Sequence, residues 1–164
     1  MKFKNLVLTL GVLMMLAFTS MAAAAPSQVN RSMTAINAAK AEIPAVCELV
    51  GYNVDGDTSI ITFKDPNTLE HYVVDVNTAT AKVQEIEVKG ATFVMGSTMV
   101  TKTPDDIEKI VLKNYPNAYE IVITQGQDGN NIYYIADFLT DKFDGELKLD
   151  PVTGAICERE LEYF

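Results

Sequence analysis

The most regularly spaced carboxylates in the chain are Glu158, Glu160 and Glu162, which alternate with Cys157, Arg159, Leu161 and Tyr163. On an extended strand, side chains two apart point the same way, so these three share a face. Paired carboxylates run acid/base chemistry when burial drives their pKa values apart. Nothing in this segment predicts burial, so the expectation is a solvated acidic face made of Glu146, Glu158, Glu160 and Glu162. Asn53, Asp55 and Asp57 imitate the start of a calcium loop, but Thr58 stands at position six, where Gly is wanted, and Lys64 at position twelve, where Glu is wanted. The spacing excludes an EF-hand. His71 is the single histidine, so neither a multi-His or Cys/His metal set nor a choice of His for a Ser-His-Asp triad exists. It shares a strand face with Val73 and Asp75 and is read as solvent-facing. No cofactor or metal is expected, and the chain is not expected to be an enzyme.

Cys47 and Cys157 are the two cysteines. An even pair in an exported chain makes them a candidate disulfide, closing a loop of about 110 residues and contributing a few kcal/mol if formed.

The elements that must position these residues start with an address. Lys2 and Lys4 precede an apolar run from Leu6 to Phe18, followed by Ser20, Met21 and Ala22 to Ala25. That order is the order of a secretory signal peptide. A membrane span needs about 20 apolar residues, and Gly11, Thr19 and Ser20 shorten this one. Cleavage is expected after Ala24, giving a signal peptide over 1–24 and an extracytoplasmic (periplasmic or secreted) product with no stable membrane insertion. Losing Lys2 and Lys4 takes the formal charge from −9 to −11. Such an acidic chain is a poor nucleic-acid binder, because phosphate affinity comes from clustered Lys and Arg; it suits a cationic surface or divalent cations.

With 164 residues, 48% of them hydrophobic, the chain has room for one domain or two small ones. Residues 30–89 and 101–164 lie over each other. Ile43-Pro44 matches Tyr115-Pro116, Asp55-Gly56 matches Asp128-Gly129, and Asp75, Thr78 and Glu85 match Asp150, Thr153 and Glu160 at an offset of 75. Each unit opens on a helix. Thr103 is an N-cap, Pro104 suits the first helical position, and Ile107, Ile110, Val111 and Tyr115 recur at helical spacing until Pro116. In the first unit Ser32 is the expected cap, Met33, Ile36, Ala39 and Ile43 the stripe, and Pro44 the stop. Period-two patterning follows: strands are predicted over 46–54, 59–63, 71–76 and 82–88, then 119–124, 132–138, 143–150 and 155–163. Asp55-Gly56-Asp57 and Asp128-Gly129-Asn130 are hairpin turns. The expected fold is α+β: two tandem two-layer modules, each a helix on a four-stranded antiparallel meander, over 25–90 and 101–164. The apolar connector 91–102 is expected to pack between them.

The stretch Leu147-Lys148-Leu149-Asp150-Pro151-Val152-Thr153-Gly154-Ala155-Ile156 resembles the PepSY family's strand, Asp, small turn, Thr-Gly and following strand. Val73-Val74-Asp75-Val76-Asn77-Thr78-Ala79-Thr80-Ala81 resembles it in degraded form, with Ala79 where Gly is expected. Asp150, Pro151, Thr153 and Gly154 are read as structural turn residues, since each has a turn requirement that explains it. The resemblance implies an extracytoplasmic, non-enzymatic module with a fold similar to cystatin-like and β-lactamase-inhibitor-like modules. It also implies a binding or inhibitory role towards a protein partner, with a secreted peptidase as one candidate. The alternative from the residues alone is a small-ligand or divalent-cation sensor using the acidic face.

Overall fold

The structure, a computed structural model, describes residues 28–90 and 96–164; the signal-peptide segment 1–24 lies outside the described residues. The element order is α1 (Gln28–Ala41), β1 (Glu48–Asp55), β2 (Thr58–Lys64), β3 (His71–Asn77), β4 (Val83–Lys89), α2 (Pro104–Asn114), β5 (Tyr119–Asp128), β6 (Asn131–Leu139), β7 (Phe143–Leu149) and β8 (Ile156–Tyr163).

These strands form one eight-stranded antiparallel sheet, in the order β1-β2-β3-β4-β8-β7-β6-β5. The expectation of two tandem two-layer modules is therefore corrected. The meanders are halves of a single sheet, joined where β4 pairs with β8 from Glu85↔Glu162 to Lys89↔Glu158. The physical reason is the edge: a four-stranded meander ending at β4 or β8 would expose a row of unpaired N–H and C=O groups. Joining the halves satisfies both edges at once.

The two helices pack on one face of this sheet, α1 on β2 and β3, α2 on β5 and β6. Under them a continuous core runs through Ile61, Phe63, Val74, Val76, Ile86, Val88, Leu161, Leu147, Leu149, Tyr134, Ala136 and Phe138. Gly145 belongs in this row because the Phe138 ring occupies the space a Cβ would take. Helix α2 has the predicted start: Thr103 Oγ1 accepts from the Asp106 N–H, and the Asp106 carboxylate accepts from the Thr103 N–H. Helix α1 starts four residues before the predicted cap, and Ser32 Oγ instead donates to the Val29 carbonyl within it. Its core contact is Ala35 and Ala39, with Ile43 buried just beyond its end, while Met33 is exposed.

The described part of the connector 91–102 fastens to the second half. Ser97 and Ile132 exchange backbone hydrogen bonds of 2.9 and 2.8 Å, and the Thr101 and Lys102 N–H groups donate to the Pro151 carbonyl.

Candidate functional site

Among the described residues no helix covers the face of the sheet away from α1 and α2, and strand alternation sends every second residue onto it. In one row across the sheet, paired residues run Asp75, Glu85, Glu162 and Asp144; in the next, Val73, Glu87, Glu160, Glu146 and Asp137. Eight carboxylates thus stand in two adjacent rows over β3, β4, β8, β7 and β6. Directly opposed side chains on paired strands have Cβ atoms about 4.5–5.5 Å apart, where like charges repel. Asp137, Asp144, Glu146, Glu160 and Glu162 line a shallow recess of about 180 Å³.

The electrostatics follow from this crowding. Partial burial, then the neighbouring Glu146, Glu162 and Glu87, hold the Glu160 carboxyl above its ordinary pKa, with Lys148 opposing. Glu85 is pushed up by burial and then by Glu160, Asp75 and Glu162. Asp75 is raised by burial and by Glu87. The third row brings the compensating cations, Lys89 and Lys148 either side of Glu158. Lys148 Nζ lies 3.0 Å from Glu158 and 3.6 Å from Glu146, and Lys89 Nζ lies 2.7 Å from Glu87. Burial works against the Lys148 charge, but the bonds to Glu158 and Glu146 outweigh it and hold its pKa up.

The structure brings Glu146, Glu160 and Glu162 of the expected acidic face together in this recess and places Glu158 one row away, paired with Lys148. Sequence reasoning missed Asp75, Glu85, Glu87, Asp137 and Asp144. The alternation of Glu85 and Glu87 with Ile86 and Val88 placed them on one face of their own strand. For Asp75, Glu85 and Glu87 the missing information was that β4 lies beside β8; Asp137 and Asp144 lie on β6 and β7 of the second meander itself. Among the described residues no group of three or more His, Cys, Asp or Glu is placed to hold a metal ion.

The Asp150 turn is a closed hydrogen-bonded unit. Asp150 Oδ1 accepts from the N–H groups of Val152 (3.0 Å) and Thr153 (2.7 Å) and from the Thr153 hydroxyl (2.9 Å), and these bonds outweigh burial to hold its pKa down. Pro151 is buried, and Gly154 closes the turn at φ 75°. The same unit recurs twice. Asn77 Oδ1 accepts from Ala79 N, Thr80 N and the Thr80 hydroxyl, with Ala81 at φ 56°. Asp65 Oδ1 accepts from Asn67 N and Thr68 N, with Leu69 at φ 62°. The counterpart of Asp150 in the first half is therefore Asn77 rather than Asp75, and Ala81 rather than Ala79 stands where Gly154 does. The offset of 75, set on Asp75, Thr78 and Glu85, places the register two residues early.

On the helix-covered face, the cleft between the helix ends is lined by Tyr72, Tyr115, Phe143, Arg159 and Tyr163. Arg159 Nη1 donates to Glu70 at 3.2 Å, and the Tyr72 hydroxyl donates to the same carboxylate at 3.0 Å. The Tyr72 phenol is pushed up to about 12 by burial and by Glu70. Arg159 is thus held by its own neighbours. Cys47 is a buried thiol whose pKa is raised by burial and then by Asp65. Cys157 lies on β8, its Sγ donating to the Ala155 carbonyl at 3.6 Å. His71 is exposed at the start of β3.

No family model matches the chain, so the PepSY resemblance rests on its turn motif alone. No curated protein matches it. Among solved structures it is similar to a BLIP-like protein from Bacteroides fragilis, 12% identical, with a TM-score of 0.34 over 79% of this chain and 85% of that one. It is also similar to a protein of Clostridium difficile proposed to be a lipoprotein, 18% identical, with a TM-score of 0.32 over 78% of this chain and 90% of that one. Likeness of that degree carries no argument about function. Among the described residues no helix is long and apolar enough to cross a membrane.

Proposed function

We propose that this chain is an exported, non-catalytic binding module whose partner is a protein presenting a cationic surface. Inhibition of a secreted peptidase is the finer form of that reading. The observation that carries it is the pair of carboxylate rows on the uncovered sheet face. Opposed like charges cost stability on a sheet, and that cost is recovered when a complementary positive surface is laid over them, which also speeds encounter. The helices already cover the opposite face, so this one is left for a partner.

Affinity capture from culture medium or periplasm with the chain from residue 25 onward tests the reading. A stoichiometric protein should be retained at low salt, released at high salt, and not captured by a Glu87→Lys/Glu160→Lys variant. Absence of such a protein, or equal capture by the variant, rejects the proposal. The cation-sensor alternative has less support, because among the described residues no group of three or more carboxylates is placed to hold a metal ion; saturable heat on calorimetric titration with calcium would reinstate it.

A further inference from the structure

The two outer strands of the sheet are β1 and β5, and they differ. β5 shifts register between Tyr119 and Val122, holds Glu120 at φ 51°, and continues with Thr124, Gln125 and Gln127. Irregularity and polar side chains are how natural sheets blunt an edge. β1 has neither safeguard over most of its length. Its register shift lies between Leu49 and Gly51, and from Gly51 to Asp55 it pairs with β2 without interruption. Leu49, Val50, Tyr52 and Val54 are exposed, at 47, 56, 39 and 43%. Leu49, Tyr52 and Val54 sit opposite Phe63, Ile61 and Ser59, so they lie on the helix side of the sheet, where α1 packs on β2 and β3.

We propose that the outer edge of β1 docks an extended protein segment as a ninth strand, with apolar residues at alternate positions beside Leu49, Tyr52 and Val54 and basic residues at its two ends. Backbone groups on an outer strand supply the pairing, and alternate side chains supply the selection. Charge decides the occupant. The only charged residues of β1 are Glu48 and Asp55 at its ends, and Asp57 follows in the turn. The facing strand brings Lys64 opposite Glu48, and α1 brings Arg31 beside Tyr52, Val54 and Asp57, which leaves Asp55 as the end charge with no cation across from it on β2. An antiparallel second copy centred on Gly51 and Tyr52 would set Glu48 against Asp55 at both ends, which is repulsive; a strand flanked by Lys or Arg meets attraction there. The surface lies at the sheet margin and does not depend on the carboxylate rows.

The test uses the chain from residue 25 onward and a capped synthetic peptide, Val-Thr-Val-Ser-Val flanked by lysines. Titration followed by backbone-amide NMR should give saturable shifts confined to Glu48–Asp55 and their β2 partners. Replacing the flanking lysines by glutamates should weaken binding by about tenfold or more, equivalent to ~1.4 kcal/mol. N-methylation of alternate peptide amides should abolish binding, with no change to the protein itself. A Val50→Lys/Val54→Lys variant with unchanged thermal midpoint should lose binding as well. Four results overturn the proposal: no saturable binding, equal binding of the glutamate peptide, shifts at Glu146 and Glu160 instead of β1, or a concentration-dependent dimer that the Val54→Lys change abolishes. The last would assign the edge to a second copy.

Discussion

Asp150, just after β7, and Glu160, on β8, are both carboxylates, and their environments push them in opposite directions. Asp150 is satisfied by three donors from its own turn, so Asp150→Ala leaves Val152 N and Thr153 N without their acceptor. A loss of ~1–3 kcal/mol is expected, read from urea unfolding. Glu160 stands between Glu87 and Glu146 on the neighbouring strands. Glu160→Gln keeps the shape and removes the repulsion, so it should stabilise the fold by ~0.5 kcal/mol while weakening partner capture. A residue whose neutralisation helps folding and harms binding is placed for recognition. If Glu160→Gln destabilises the chain, the carboxylate rows are structural.

At the level of elements, much of the chain was legible. Every strand was predicted to within about two residues at most boundaries, because period-two alternation is strong where one face is buried. β5 is the exception at its far end, running to Asp128 rather than ending at Thr124. The Asp55 and Asp128 hairpins, with Gly56 and Gly129 at positive φ, and the Thr103 cap were written in local chemistry. The β4–β8 seam was not. A strand's own sequence tells which residues share a face and says little about which distant strand lies beside it, since backbone pairing is the same for every partner. That omission produced the two-module reading and left Asp75, Glu85 and Glu87 off the acidic face. The seam also yields a prediction. Residues 25–90 alone would expose β4, and residues 91–164 alone would expose β8, so neither half should give a cooperative unfolding transition. The two mixed together should recover one by circular dichroism. Independent, sharp melting of either half would show that the seam is dispensable.

For the whole molecule, the opposed pKa shifts set how stability depends on pH. Asp75, Glu85 and Glu160 have folded pKa values raised above their ordinary 3.8 and 4.5. The folded state therefore holds their protons more tightly; the resulting stability is full below the ordinary values and is lost as pH rises through the raised ones. Asp150 is lowered from 3.8, so its contribution is present above that value and fades as pH falls through the lowered one. Tyr72 and Tyr163, raised from 10.0 to about 12, contribute below 10.0 and lose that contribution as pH climbs through about 12. The thermal midpoint should therefore be highest on the acid side, around the ordinary carboxyl values, decline as pH rises through the raised ones and drop again in alkali. A midpoint that rises steadily from pH 5 to 8 would contradict the crowding of the open face.

Because α1 and α2 share one side of the sheet, the molecule has a back that is committed to cohesion and a front that is not. Lysines or aromatics written into the front positions would alter what the chain recognises without disturbing the layer that holds it together. The scaffold is thus a natural starting point for retargeting.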